Sequence, residues 1–294
     1  MRIALSALAL LLVSLGLGLA VSIRAASARE GSPASPEVLR RGHQVYEANC
    51  VMCHGINGDG QGMAAHMFRV PPRDFRQGFF KFRSTLSGSM PTDNDLLQTV
   101  TQGIRWTGMV GRPDLSEADG RAVVQYLKTF SPRFASEPAT APIAVPRRPP
   151  QSQALLEQGR RLYHEAGCAQ RHGERGRGNG PSATGLQDDW GRPTRPSDLT
   201  WRPLKRGASV EGIYLTIATG LSGTPMPSYR DSLDDQGIWA LVYYLESLVP
   251  AERRLSAARS LGEEPRGWMA VRMARMMGMR GRGMMGSRGM CPRP

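Results

Sequence analysis

The sequence predicts an all-α chain made of two tandem copies of one small helical domain, and three observations carry the prediction. LRRGHQVYEANCVMCHG at 39–55 aligns with LEQGRRLYHEAGCAQRHG at 156–173, TVTQGIRWTGM at 99–109 with TIATGLSGTPM at 216–226, and AVVQYL at 122–127 with ALVYYL at 240–245. The offset stays at 117 or 118 through all three blocks, as a duplicated unit requires. Apolar residues recur at helical spacing, with no convincing alternating strand pattern. The middle of each copy is rich in Gly and Pro, so the helices are short.

Each element follows from local chemistry. Ser35 with Pro36 behind it opens a first helix, and Ser152 opens its counterpart, with Leu155, Leu156 and Leu162 on one face. A middle helix carries Leu96, Leu97, Val100 and Ile104 and ends at Gly103; its partner carries Ile213 and Ile217 and ends at Gly220. The last helix starts with Ser116 and Asp119 in a capping-box pattern and presents Val123, Val124, Leu127 and Phe130. Ile238, Leu241, Val242, Leu245 and Leu248 repeat that face in the second copy. Between the copies, SEPATAPIAVPRRPP is too proline-rich to continue a helix. The organisation expected is a signal segment at 1–28, domains at 29–135 and 151–250, a linker at 136–150 and a separate tail at 251–294.

Residues 1–28 begin with Arg2, continue through an apolar run from Ile3 to Ile23 and end in a small-x-small site at Ala26 to Ala28. That layout is an export signal with the mature chain starting at Arg29. The run is also long enough to span a bilayer, so an uncleaved N-terminal anchor is the competing reading. Both place the body outside the cytoplasm, in the periplasm or an equivalent exported location. The tail holds ten Arg against three Glu, so much of the net charge of +13 lies there. Eight methionines from Met269 to Met290, then Cys291, are interleaved with Arg and Gly. A disordered basic tail resting on anionic lipid or an acidic partner is the plain reading; a copper(I) site of soft sulfur ligands is the alternative. Trp268 is the lone aromatic among those charges, whereas nucleic-acid binding would require aromatics interleaved with them.

Four cysteines, at 50, 53, 168 and 291, are too few for a disulfide scaffold of this length. With aromatics at only 6%, two domains of about 100 residues would have poorly filled cores. CVMCH at 50–54 accounts for both. Cys50 and Cys53 are spaced to meet the two vinyl groups of one porphyrin, and His54 directly after them reaches its iron. A redox CxxC needs no following histidine, and a zinc site needs a second ligand pair that the chain lacks. Met109 and Met226 lie 55 and 54 residues after His54 and His172, at matched points of the repeat. A thioether in the sixth position favours ferrous iron and suits an electron carrier. Met90, Met63 and Met67 are rivals in the first copy.

CVMCHG, the methionine-bearing loop and the capped last helix together resemble class I c-type cytochromes, and 37–249 resembles a tandem dihaem member. The resemblance implies haem c, crossing terminal helices with close approach at Gly42 and Gly159, Tyr126 and Tyr244 packing nearby, and redox proteins as partners. RVPPRDF at 69–75 and TRPSDL at 194–199 resemble the proline-rich loops that follow the haem motif. Arg83 is either a haem-propionate partner or a solvated surface arginine. The second copy departs in one place: CAQRH puts Arg171 where the second cysteine belongs, while Cys168, His172 and Met226 remain. One haem c is therefore expected at Cys50, Cys53, His54 and Met109. A second, held by Cys168 alone with His172 and Met226 as axial ligands, stays open; without it, Cys168 is a thiol that can pair with Cys291. The function expected is single-electron transfer between redox partners. A dihaem oxidoreductase of thiosulfate dehydrogenase or peroxidase type is the alternative.

Overall fold

The structure, a computed structural model, describes residues 34–137, 140–207, 209–251 and 253. The signal segment, the alternative membrane anchor, the copper-site residues and Cys291 lie outside the described residues. Among those described there is no strand; isolated bridges are the only extended pairings. No described helix is long and apolar enough to cross a membrane.

In the first copy α1 spans Pro36–Asn49 and α2 Val51–His54. A single 3-10 turn at Ala65–Met67 follows, then α3 at Asp93–Gln102, α4 at Glu117–Lys128 and α5 at Arg133–Ser136. The second copy has α6 at Gln153–Glu165, α7 at Cys168–His172, α8 at Val210–Thr219 and α9 at Asp235–Ser247. Ser35 and Ser152 cap α1 and α6 through their side chains, as their positions before each helix predict.

Two local expectations need correction. Ile104 lies beyond α3, because Gly103 caps that helix and its amide returns to Thr99. The reciprocal capping box belongs to Thr92 and Asp95 on α3. At α4, Ser116 accepts from the Asp119 amide, but the Asp119 carboxylate instead takes the Ser116 hydroxyl and Arg41 of α1.

The most extensive helix pairings are α1 against α4 and α6 against α9. Glycine makes each crossing possible. A Cβ at Gly42 would overlap the Ala122 carbonyl oxygen and lie 2.8 Å from Tyr126 Cβ; one at Gly159 would overlap the Ala240 carbonyl oxygen and lie 2.9 Å from Tyr244 Cβ. Backbone thus touches backbone, and the two tyrosines flank the contact. Tyr46 and Tyr163, matched in the repeat and fully buried, donate to the Gly55 and Gly173 carbonyls at 2.7 and 2.8 Å. Those bonds tie each first helix to the turn just after His54 or His172.

The stretch from 140 to 152 contains no helix, as its prolines require. It is anchored along its length: the Ile143 amide donates to Ser84 at 2.8 Å, Arg148 reaches the Tyr243 hydroxyl at 3.0 Å, and Ile143 and Val145 pack on the second core.

Candidate functional site

Each domain encloses an apolar cavity in the middle of its core. The first, about 1360 Å³ with its open mouth, is lined by Cys50, Cys53, His54 and Met109 among Phe, Leu, Val and Pro side chains. The second, about 790 Å³ likewise with its open mouth, is lined by Cys168, His172 and Met226 among Ile, Leu and Tyr. The structure therefore gathers the sequence-predicted residues of each copy around one space. None of the three described cysteines is disulfide-bonded.

α1 ends at Asn49, and Cys50 joins it directly to α2, so one helical turn presents Cys50, Cys53 and His54 on a shared wall. Burial pushes the Cys50 thiol up to about 11 and raises Cys53 and Cys168 as well, which keeps all three as neutral thiols. The proline-rich loops orient the histidines. His54 Nδ1 lies 3.1 Å from the Arg73 carbonyl, and His172 Nδ1 lies 2.9 Å from the Ser197 carbonyl. A carbonyl can only accept, so Nδ1 carries the proton and Nε2 keeps its lone pair for a metal. Burial lowers both histidine pKa values and favours that neutral ring.

The methionines come from matching loops. In the first, Ile104 donates to the Met109 carbonyl at 2.9 Å and Met109 donates to the Thr107 hydroxyl at 3.2 Å. In the second, Leu221 donates to the Met226 carbonyl at 3.1 Å and Met226 to the Thr224 hydroxyl at 3.3 Å. Among the rival methionines, Met90 is buried within the first core without lining the cavity, Met63 is 75% exposed, and Met67 is exposed. Arg171 does not line the second cavity, so its charge avoids the apolar space that Cys168 faces.

Residues 37–127 match the family of cytochrome c oxidase, cbb3-type, subunit III, and residues 156–249 match the cytochrome c family. The chain is also similar to a chain of the reducing HAO-like protein complex of Kuenenia stuttgartiensis, at 38% identity and a TM-score of 0.70. That likeness covers 71% of this chain and 96% of the other. The chain belongs to the tandem c-type cytochromes. No curated protein matches it.

Membership means covalently bound haem c and electron transfer through it, and the cavities of this cytochrome suit such a group. Their walls are apolar, and each supplies thiol, imidazole and thioether, the donors that haem c takes from protein. Among the described residues no cluster of His, Cys, Asp and Glu offers a rival metal site.

Several residues around the cavities were not singled out from the sequence. Arg73 and Lys81 line the first, Lys205 and Arg206 the second, and Phe82 lines both. Burial pulls Lys81 down to about 7, helped by the charges of Lys205 and Arg73, and burial lowers Lys205 too. Neither cavity is lined by a carboxylate. These cations are scattered in sequence, so only folding brings them together. Arg83 takes neither role expected of it: it is 2% exposed, lines neither cavity, and donates to the Ser222 hydroxyl and Thr219 carbonyl of the second domain.

Proposed function

We propose that this cytochrome is an exported, periplasmic carrier that passes single electrons to or from a larger redox enzyme, with one haem c in each domain. The carrying observation is the matched pair of cavities, each with a carbonyl-tied histidine on one wall and a methionine loop lining the same space. Bound haem supplies a one-electron ferric/ferrous couple, and the protein supplies its attachment, axial donors and a dry surround.

In the first domain Cys50 and Cys53 would hold the haem through thioether bonds to its two vinyl groups, and His54 Nε2 and the Met109 sulfur would bind its iron. In the second, Cys168 would hold the haem through a single thioether, and His172 and Met226 would bind its iron. The retention of this whole donor set around an apolar cavity supports a second haem despite Arg171. So do Lys205 and Arg73, which offer positive charge for haem carboxylates and find no carboxylate in either lining, whereas Arg206 already faces Asp95 at 3.6 Å. That same lack of an acid-base carboxylate favours a carrier over a peroxidase or thiosulfate dehydrogenase. The similar chain from Kuenenia belongs to a protein complex, which supports docking on a larger partner as the way this one works.

Haem per chain, from pyridine haemochrome together with intact mass of the exported protein, tests the reading. Two covalent haems are expected; one would reduce the second domain to a scaffold, and robust turnover of thiosulfate or peroxide would replace the carrier by an enzyme.

A further inference from the structure

Among the described residues Trp106 is the one non-glycine with positive φ, at 61°. It sits at the corner of the Met109 loop. The second domain closes its Met226 loop by the same bonds, and at the matching corner stands Gly223, with φ of 74°. The loop shape itself therefore demands the left-handed region. The second copy meets the demand with glycine, whereas the first places a bulky side chain there against its backbone preference.

Trp106 is 59% exposed, so burial in its own domain does not offset that strain. Its partners belong to the other domain. Trp106 Nε1–H donates to the Pro203 carbonyl at 2.7 Å, and its ring meets Trp201 edge to face with centroids 5.7 Å apart. The other methionine loop is held across the interface in return. A Cβ at Gly223 would overlap the Arg73 guanidinium, and Arg83 bonds to Ser222 and Thr219 beside it.

We propose that the two methionine loops are the interdomain clasp, and that Trp106 is a positioning residue through which docking of the second domain holds Met109 in the first cavity. The proposal rests on reading Met109 as an axial ligand. It makes the sixth position of one domain depend on contacts supplied by the other, which is an energetic coupling between the two sites.

The test uses ferric holoprotein titrated with imidazole, which competes for the sixth position, with the weak far-red band of methionine-ligated ferric haem followed in parallel. Met109→Ala identifies the phase that belongs to the first cavity. Trp106→Gly restores the residue type its corner favours, so the melting temperature stays close to the parent's. It nevertheless raises the apparent imidazole affinity of that phase about tenfold, the worth of one lost hydrogen bond. Trp201→Ala, a change in the other domain, produces a shift in the same direction, and the double variant adds little to either single. Unchanged affinity in Trp106→Gly or in Trp201→Ala overturns the clasp. If Met109→Ala leaves both the band and the titration as they were, the ligand reading has failed instead.

Discussion

Replacing Gly42 by alanine should destabilise the holoprotein even though alanine is the better helix former. A Cβ at this position overlaps the Ala122 carbonyl oxygen and comes within 2.8 Å of the Ala122 carbonyl carbon and of Tyr126 Cβ. Two of those atoms are backbone and cannot rotate away, so α1 and α4 must separate. A gap of about 0.5–1 Å already forfeits a quarter to a half of each van der Waals contact along a crossing. Overpacking of this kind costs about 1–3 kcal/mol, and a rigid partner puts Gly42→Ala at or beyond the top of that range. Helix propensity returns about 1 kcal/mol, leaving a net loss of about 2 kcal/mol. For a chain of this size that is a fall in melting temperature of about 4–8 °C. Gly120→Ala on α4 is the control, because its Cβ would meet only the mobile Leu97 Cδ1 at 2.7 Å; it should be close to neutral. Thermal unfolding of the two variants side by side gives the answer. A Gly42→Ala protein that melts within about 2 °C of the parent would refute the argument that backbone contact at the crossing demands glycine.

Arg171→Cys completes a CAQCH motif and should yield a second haem held by two thioethers. Its intact mass must show two haems, and its pyridine haemochrome band must shift from the parent's to that of haem with both vinyl groups saturated; a mass with one haem would mean that the second cavity does not load. Asp114→Asn should weaken the protein slightly at pH 7. The Arg112 hydrogen bond depresses the Asp114 pKa to about 2, so its contribution is complete above the ordinary carboxylate value of about 4 and disappears as pH falls through 2. Denaturant melts of parent and variant should therefore converge near pH 2, and a gap that persists there contradicts the pairing. Arg83→Met removes charged hydrogen bonds to Ser222 and Thr219, each worth about 1.5–3 kcal/mol when buried, and should open the interface. Faster proteolysis within 140–150 is the expected readout, and unchanged cleavage would deny Arg83 that role.

Much of this architecture was legible because duplication let each copy check the other. A histidine after a cysteine is ambiguous once, yet His54 and His172 followed by Met109 and Met226 at nearly equal distances specify two cavities of one kind. Capping worked for the same local reason: Ser35 and Ser152 act on amides three residues away. Where sequence reasoning slipped, the deciding partner was distant. Arg83 reads as a surface cation until Thr219 and Ser222 bury it, and Asp119 reads as half of a capping box until Arg41 on another helix claims its carboxylate. Trp106 did leave a signal, since it stands opposite Gly223 in an otherwise well-matched block, although only its φ says what the mismatch means.

The sequence by itself determined the helical repeat, the thiols, imidazoles and thioethers with their order, and the loss of one thiol at Arg171. These depend on periodicity and spacing, which are properties of neighbours along the chain. Tertiary structure decided which carbonyls hold the histidines, which methionine lines each cavity, and where Arg73, Lys81, Lys205 and Arg206 converge. It also decided that Trp106 and Arg83 find their partners in the other domain. Such choices depend on distances between residues tens of positions apart, and they are set by the close α1–α4 and α6–α9 crossings and by how the two domains bury each other's side chains.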